Sequence, residues 1–296
     1  MKLGTIDIIG KTRLWFIVSA IFIFVGLFGL ISNGMFKGSP MNFGIDFTGG
    51  TTLNLRFQEL VSLEEVREIL GKYNRANAVI QRSGGYDLII KTEPLPTKER
   101  EDIVNDIKEK FSGTVLLEAD TIGPVIGAEL RRQAFWALMI AMIGILIYVA
   151  FRFEFKYAVA AIIALLHDAI ITVGLIAILW RPVDTPFIAA ILTVLGYSIN
   201  DTIVIFDRIR ENLSKAGAAK RPLSDVVNES VNQTFARSIN TVLTVLFMNA
   251  ALLLFGGATI KNFALTLFIG FTAGAYSSIF VASPVLVLLT KWGKKG

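Results

Sequence analysis

Apolar positions along this chain are gathered into six long blocks separated by polar segments. The blocks run from Leu14 to Ile31, Ala134 to Phe151, Tyr157 to Trp180, Pro186 to Phe206, Ser238 to Phe255 and Asn262 to Thr290. Each is about 18 residues or longer, the length at which a helix rising roughly 1.5 Å per residue crosses a bilayer core. The pattern predicts a membrane α-helical bundle of six transmembrane helices. The last five blocks follow one another closely, whereas residues 33–133 separate the first from the second.

That interval changes period. Thr51 to Phe57 alternates as a strand does, with Leu53, Leu55 and Phe57 on one face. Ser62-Leu63-Glu64-Glu65 reads as a capping box opening a helix that runs to Tyr73. Two short apolar runs, Ala78 to Gln81 and Tyr86 to Lys91, flank Ser83-Gly84-Gly85 as a hairpin. Thr97 is placed to cap a second helix with Ile103, Val104, Ile107 and Phe111 on its apolar face, and Thr114 to Ala119 reads as a last strand. The order βαββαβ predicts an α+β ferredoxin-like domain between helices one and two. It carries no recognisable nucleophile, base or phosphate loop, so it reads as a binding or spacer domain.

Composition supports the membrane reading. Of 296 residues, 53% are hydrophobic and 18% charged, with mean hydropathy +0.61; soluble domains carry roughly 25% charge. The absence of cysteine excludes disulfides, thiol nucleophiles and cysteine metal sites, and one histidine leaves no metal-ligand spacing. No cofactor is expected, and no hydrolase or nucleotide-binding motif is present, so the chain does not read as an enzyme.

Charge then orients it. Lys2, Lys11 and Arg13 precede the first block, which is longer than a signal core and lacks a small-x-small cleavage site at Ser32-Asn33-Gly34; residues 1–32 are read as a cytoplasmic N-terminus and an uncleaved first helix. Arg152 and Lys156 lie between blocks two and three. Arg208, Arg210, Lys215, Lys220, Arg221 and Arg237 lie between four and five, and Lys291, Lys294 and Lys295 form the tail. The opposite short loops hold only Arg181 and Lys261. Both termini and the loop 207–237 are therefore placed in the cytoplasm. Residues 33–133, with 13 basic and 15 acidic residues, form an extracytoplasmic domain, and residues 134–296 supply helices two to six. Leu223 to Arg237 looks amphipathic and is expected to lie along the cytoplasmic face before turning into span five.

Ionisable residues within spans are functional candidates, because a mid-bilayer charge costs at least about 2.5 kcal/mol. Asp168, preceded by His167, lies midway along the third span. Asp201 lies in the fourth, within Gly-Tyr-Ser-Ile-Asn-Asp-Thr, and Arg237 begins the fifth on the same side. Two readings stand: a fixed Asp201–Arg237 ion pair joining two helices, or a proton relay in which Asp201 loads and releases protons with Arg237 as partner. Asn200 and Ser198, with Asn240, Thr241 and Thr244 on span five, are hydrogen-bond partners at that level. Asp168 either joins the relay or stabilises packing, and His167 either titrates beside it or packs. Gly270 and Gly274 form a small-xxx-small pattern for close helix contact, and Pro284 predicts a kink.

These residues together resemble the SecD/SecF family of protein-export membrane proteins, the SecF members closely and along nearly the whole chain. The resemblance rests on Gly44-Ile45-Asp46-Phe47-Thr48-Gly49-Gly50-Thr51, Leu166-His167-Asp168, Gly196 to Thr202 continuing into Asp207-Arg208-Ile209-Arg210-Glu211-Asn212, Arg237 to Thr241, and Tyr276 to Phe280. It implies membership of the resistance-nodulation-division superfamily and residence in the bacterial inner membrane. The implied partners are SecD and the SecYEG channel, with YajC and YidC as further neighbours. The implied role is to use a proton or sodium gradient to promote late-stage preprotein translocation. By resemblance, Asp201 and Arg237 fall on the positions held to carry proton coupling, and Asp168 on another intramembrane carboxylate. Asp46, Gly49 and Gly50 sit where span meets domain, where glycines allow unusual backbone angles; the readings are a hinge or interface, or a plain turn. A small-molecule exporter of the same superfamily and a non-transporting assembly factor are the rival expectations.

Overall fold

The computed structural model describes residues 6–215 and 221–292. Lys2, Lys220, Lys294 and Lys295, used above for orientation, lie outside the described residues, as does the middle of the loop 207–237. In chain order the elements are α1 (Thr12–Lys37), β1 (Asn42–Phe43), α2 (Ile45–Thr48), β2 (Gly50–Arg56), α3 (Leu63–Lys72), β3 (Val79–Arg82), β4 (Asp87–Thr92), α4 (Thr97–Lys110) and β5 (Val115–Ile122). Then follow α5 (Pro124–Arg152), α6 (Phe155–Ile178), β6 (Pro182–Val183), α7 (Thr185–Ser214), α8 (Leu223–Phe255), α9 (Ala258–Ser277), a π-helical turn (Ser278–Ala282) and α10 (Ser283–Trp292). Among the described residues, six helices are long and apolar enough to cross a membrane, the sixth running from Ile260 to Lys291 through the π turn. Two compact units divide the chain. One comprises the described residues of Met1–Asn42, Ala137–Pro182 and Pro186–Gly296; the other comprises Phe43–Trp136 and Val183–Thr185.

The second unit is an antiparallel four-stranded sheet in the order β3-β4-β2-β5, with α3 and α4 sharing its core. The alternation of β2 sends Leu53, Leu55 and Phe57 into that core, where they meet Val66, Ile69 and Leu70 of α3 and Ile103, Val104 and Ile107 of α4. Between β3 and β4, Gly84 (φ 102°) and Gly85 (φ 55°) close the hairpin with backbone angles that side chains resist. Neither expected helix cap forms. The Ser62 hydroxyl donates to the Glu64 carboxylate at 3.0 Å instead of accepting a backbone N–H, and Pro96 rather than Thr97 occupies the cap of α4. A nearby acidic side chain competes for the serine hydroxyl, and Thr97 lies inside the first turn of α4, one residue past the capping position.

In the first unit, α6 and α9–α10 form the inside and α1, α5 and α8 the outside, where large apolar side chains such as Phe24, Phe28, Ile147 and Phe247 are exposed in the manner of lipid-facing surfaces. Helix α1 crosses α6 through glycines. A Cβ on Gly26 would stand 3.2 Å from the Gly174 Cα, and one on Gly174 would collide with the Gly26 backbone. Asn33 Nδ2 donates to the Ala177 carbonyl at 2.7 Å across the same seam. Close backbone approach through small residues holds helices together where lipid removes the hydrophobic driving force. The expected turn after Arg237 is not made: α8 is one helix of 33 residues from Leu223, because nothing between Leu223 and Phe255 breaks it. Pro284 follows the π turn, which absorbs the missing N–H and the ring's clash with the preceding turn.

Two predictions follow from this packing. Gly174→Ala is expected to destabilise the detergent-solubilised protein by about 1–3 kcal/mol through overpacking, whereas Gly144→Ala, which meets nothing within 4 Å, is not. Equal melting temperatures for the two variants would refute the glycine seam. On β5, residual burial and then the negative charge of Asp120, two residues away, raise the Glu118 carboxyl above its ordinary range. A raised folded-state value contributes stability that is present below the unfolded value and lost as pH rises through the folded one. Glu118→Gln is therefore expected to stabilise at about pH 7 by less than about 1 kcal/mol, given solvent screening, and the gain is expected to vanish towards about pH 4. Thermal melts at both pH values check it, and a gain unchanged in acid contradicts it.

Candidate functional site

Two clusters gather the predicted residues, one in each unit. The first is the glycine-rich turn before β2. Gly49 (φ 74°) and Gly50 (φ 142°) adopt angles that strongly favour glycine. A Cβ on Gly50 would stand 2.6 Å from the Thr92 carbonyl oxygen, and one on Gly49 would stand 2.9 Å from the Pro124 Cα. Gly127, which the sequence reading passed over, packs on the same turn: its Cβ would stand 2.9 Å from the Gly49 nitrogen. Within this turn the Asp46 carboxylate accepts the Thr185 N–H at 2.8 Å, satisfying a backbone donor at the first residue of α7. Gly44 N–H donates to the Val183 carbonyl at 2.8 Å beside it. Lys91 completes the cluster. Burial lowers its pKa, and the neighbouring carboxylates Asp184 and Asp46 oppose that shift.

The second cluster lies inside the bundle. Asp168 is fully buried and has three hydrogen-bond partners. Ser198 Oγ of α7 and Ser277 Oγ of α9 bond Oδ2 at 2.6 and 2.8 Å, and His167 Nδ1 lies 3.0 Å from Oδ1. Three helices thus converge on one carboxylate. Gly274 permits this, because a Cβ there would stand 3.0 Å from that of Ser198; Gly270 likewise faces Val194 with no room for a side chain. The His167 ring stacks on Tyr276 with centroids 5.8 Å apart, and Tyr276 Oη donates to the Trp15 carbonyl of α1 at 2.7 Å.

Asp201, also buried, is held differently from expectation. Ser238 Oγ of α8 donates to Oδ1 at 2.7 Å, and Oδ2 is buried with no hydrogen-bond partner. Arg237 forms no ion pair with it; the side chain is exposed. The reason is angular. Successive helical residues point about 100° apart, so turning Ser238 inward turns Arg237 outward. Asn200 is exposed for the same reason and makes no bond to Asp201. These outward residues are not scattered. Thr193, Gly196 and Asn200 on α7, and Arg237, Asn240, Thr241 and Thr244 on α8, recur at three- and four-residue steps as exposed polar stripes within apolar helices. Ser238, Ser277 and Ser278 were missed in the sequence because hydroxyls carry no charge signal there. Among the described residues, no group of three or more His, Cys, Asp or Glu side chains is arranged to hold a metal ion.

Comparison with known proteins decides the family. The model described as "Protein export membrane protein SecD/SecF, C-terminal" matches residues 102–292, and "SecD/SecF GG Motif" matches residues 38–59. The chain belongs to the SecD/SecF family. It is 45% identical over 290 residues to a protein translocase subunit SecF of Sebaldella termitidis, covering 96% of this chain and 92% of that one. It is 37% identical to the SecF subunit of Pseudomonas aeruginosa, covering 98% and 93%. The crystal structure of SecDF from Thermus thermophilus, described as a translocon-associated membrane protein, superposes with TM-score 0.88 at 35% identity over 97% of this chain; the chain spans 39% of that one. With its family and six apolar helices, the chain is a multi-pass membrane protein of protein transport.

The Asp46 contact yields a local prediction within this SecD/SecF chain. Asp46→Ala is expected to remove about 1 kcal/mol of capping, seen as a roughly fivefold faster hydrogen exchange of the Thr185 amide. Asp46→Asn, which keeps an acceptor oxygen, is expected to show a smaller change. Identical exchange in all three proteins would mean the cap contributes nothing.

Proposed function

We propose that this chain is a SecF-type subunit that pairs with SecD beside the SecYEG channel, with YajC and YidC as further neighbours, and uses the proton gradient to promote late-stage translocation of preproteins. Asp201 is the loading group. The observation that carries this reading is a buried carboxylate inside a candidate span whose Oδ2 lacks any partner, where a proton can be accepted without displacing an existing bond. Asp168 is the second coupling carboxylate, and Arg237 and Asn200 act from the exposed stripe. Polar stripes on membrane helices are unfavourable against lipid and favourable against another protein, which supports a SecD half covering α7 and α8 and bringing Arg237 into play.

In this reading the four-stranded unit is the ferredoxin-like extracytoplasmic domain, and both termini are cytoplasmic. The unit's strand order and two helices on one core fit the βαββαβ pattern. Asp46, Gly49 and Gly50 form the hinge at which the domain answers events in the helices. Protonation of Asp201 from the outer side weakens its hold on Ser238 and the attraction of Arg237. The helices carrying them shift, and the domain biases an emerging preprotein against sliding back. A proton driven by about 100 mV supplies roughly 2.3 kcal/mol, sufficient to shift a two-state population. Sodium coupling would place the same carboxylate in a coordination shell instead.

The test uses vesicles containing this chain, SecD and the channel. The late, ATP-independent stage of translocation is followed with and without a proton gradient. The gradient is expected to speed export several-fold for the unaltered protein and not for Asp201→Asn. An equal response in both proteins would overturn the reading and favour the assembly-factor alternative. Retained activity with a sodium gradient alone would transfer the coupling from proton to sodium.

A further inference from the structure

Residues 6–10 lie ahead of α1 and are gripped by α8 through their main chain. Ile6 N–H donates to Asn232 Oδ1 at 2.8 Å, and Asn232 Nδ2 donates back to the Ile6 carbonyl at 2.8 Å. Asn228 Oδ1 accepts the Ile8 and Ile9 N–H groups at 2.8 and 3.3 Å. The second hydrogen of Asn232 Nδ2 goes to the Asn228 carbonyl at 2.8 Å, so both polar atoms of that amide have partners and its orientation is fixed.

The spacing explains the match. Asn228 and Asn232 stand four residues apart on one helix face, a rise of about 6 Å. Two residues of extended chain advance by about 6.6 Å. Successive asparagines therefore meet every second residue of an extended segment, here running antiparallel to α8, with Ile8 at Asn228 and Ile6 at Asn232. Asn232 treats Ile6 as a neighbouring strand would, exchanging bonds with both of its main-chain groups. None of these bonds depends on a side chain of the gripped segment. Side-chain preference is strongest at one position, because Ile8 is fully buried whereas Asp7 is exposed.

The segment is closed at its other end by α1. The Asp7 carboxylate accepts the Gly10 N–H at 2.8 Å, Thr12 Oγ1 donates to the Ile9 carbonyl at 2.6 Å, and Trp15 Nε1 donates to the Ile8 carbonyl at 3.1 Å. Along the same stretch of α8, Asn212 Nδ2 of α7 donates to Ser230 Oγ and Gln233 Oε1 at 2.8 and 2.9 Å. The start of α8 is thus bonded to α7 directly and to α1 through residues 6–9.

We propose that the start of α8 is a binding site for extended polypeptide, read through its main chain by Asn228 and Asn232, and that residues 6–9 are its resident ligand. The class of ligand is an extended segment with an aliphatic side chain at the place of Ile8 and little demand at the exposed place of Asp7. Occupied in cis, the site clasps α1 to α8. Vacated, it leaves two amide side chains able to take another extended chain. A tethered ligand presents itself at an effective concentration in roughly the millimolar range, so the resident segment excludes free peptides until it is released. The clasp makes no use of the buried carboxylates and stands whether or not a gradient drives the chain.

The test uses the full chain in detergent. Ile8→Asp places a charge in the buried position and is expected to release the segment. A fluorescent peptide copying residues 5–12 is then expected to bind this variant at least about tenfold more tightly than the unaltered chain, whose site is filled. Adding Asn228→Ala and Asn232→Ala to Ile8→Asp is expected to weaken peptide binding by about tenfold or more, as is N-methylation of the peptide at Ile8, whereas Asp7→Ala in the peptide is not. No binding to the Ile8→Asp chain, or binding indifferent to the asparagines and to the N-methyl group, overturns the proposal. Should Ile8→Asp fail to fold, hydrogen exchange in the otherwise unaltered chain decides. Asn228→Ala is expected to speed exchange of the Ile8 amide about fivefold and to leave the Leu55 amide of β2 unchanged; an unchanged Ile8 amide refutes the site.

Discussion

Satisfying one buried carboxylate organises the centre of the helical unit. Within hydrocarbon every polar group needs an internal partner, and Asp168 draws its three from α6, α7 and α9. That requirement sets how near the helices must come. Gly274 removes the side chain that would hold α9 away from Ser198, and Gly270 does the same opposite Val194. The glycines and the serines are thus two halves of one arrangement: the first allow approach, and the second use it to neutralise a polar group. Hydrogen bonding and packing stabilise the same helix contacts, so neither is expected to survive loss of the other.

Asp201 contrasts with this satisfied site. One oxygen is held by Ser238 and the other, buried, has no hydrogen-bond partner. Structures rarely leave such a group without a reason. The neighbouring polar stripe on α7 and α8 points the same way, since Asn200, Asn240 and Arg237 face outward from otherwise apolar helices. This chain spans 39% of Thermus thermophilus SecDF, a chain of the same family.

The glycine-rich turn shows how a short motif joins chemistry to backbone geometry. Gly49 and Gly50 hold angles that other residues resist, and this frees Asp46 to accept the N–H of Thr185 rather than to complete a longer helix of its own. Asp184 and then Asp46 offset part of the cost that burial places on the charge of Lys91.

Much of the fold was legible along the chain. The number, order and approximate limits of the apolar helices, the β2 face of Leu53, Leu55 and Phe57, and the helix–strand order of residues 50–122 follow from periodicity, because burial repeats every two or 3.6 residues wherever one face meets a core. The intramembrane aspartates also declared themselves, since charge is costly in hydrocarbon and therefore rare. What the chain alone did not disclose were the partners. Whether Asp201 meets Arg237 or Ser238 depends on a 100° step around α8, and whether Asp168 is left bare or triply bonded depends on how closely α9 approaches α7. The loss of the Ser62 cap was likewise settled by a competing neighbour, the Glu64 carboxylate. Periodicity records which side of an element is buried; only the tertiary structure decides which atom stands opposite it, because that depends on distances between segments whose order in sequence carries no length scale.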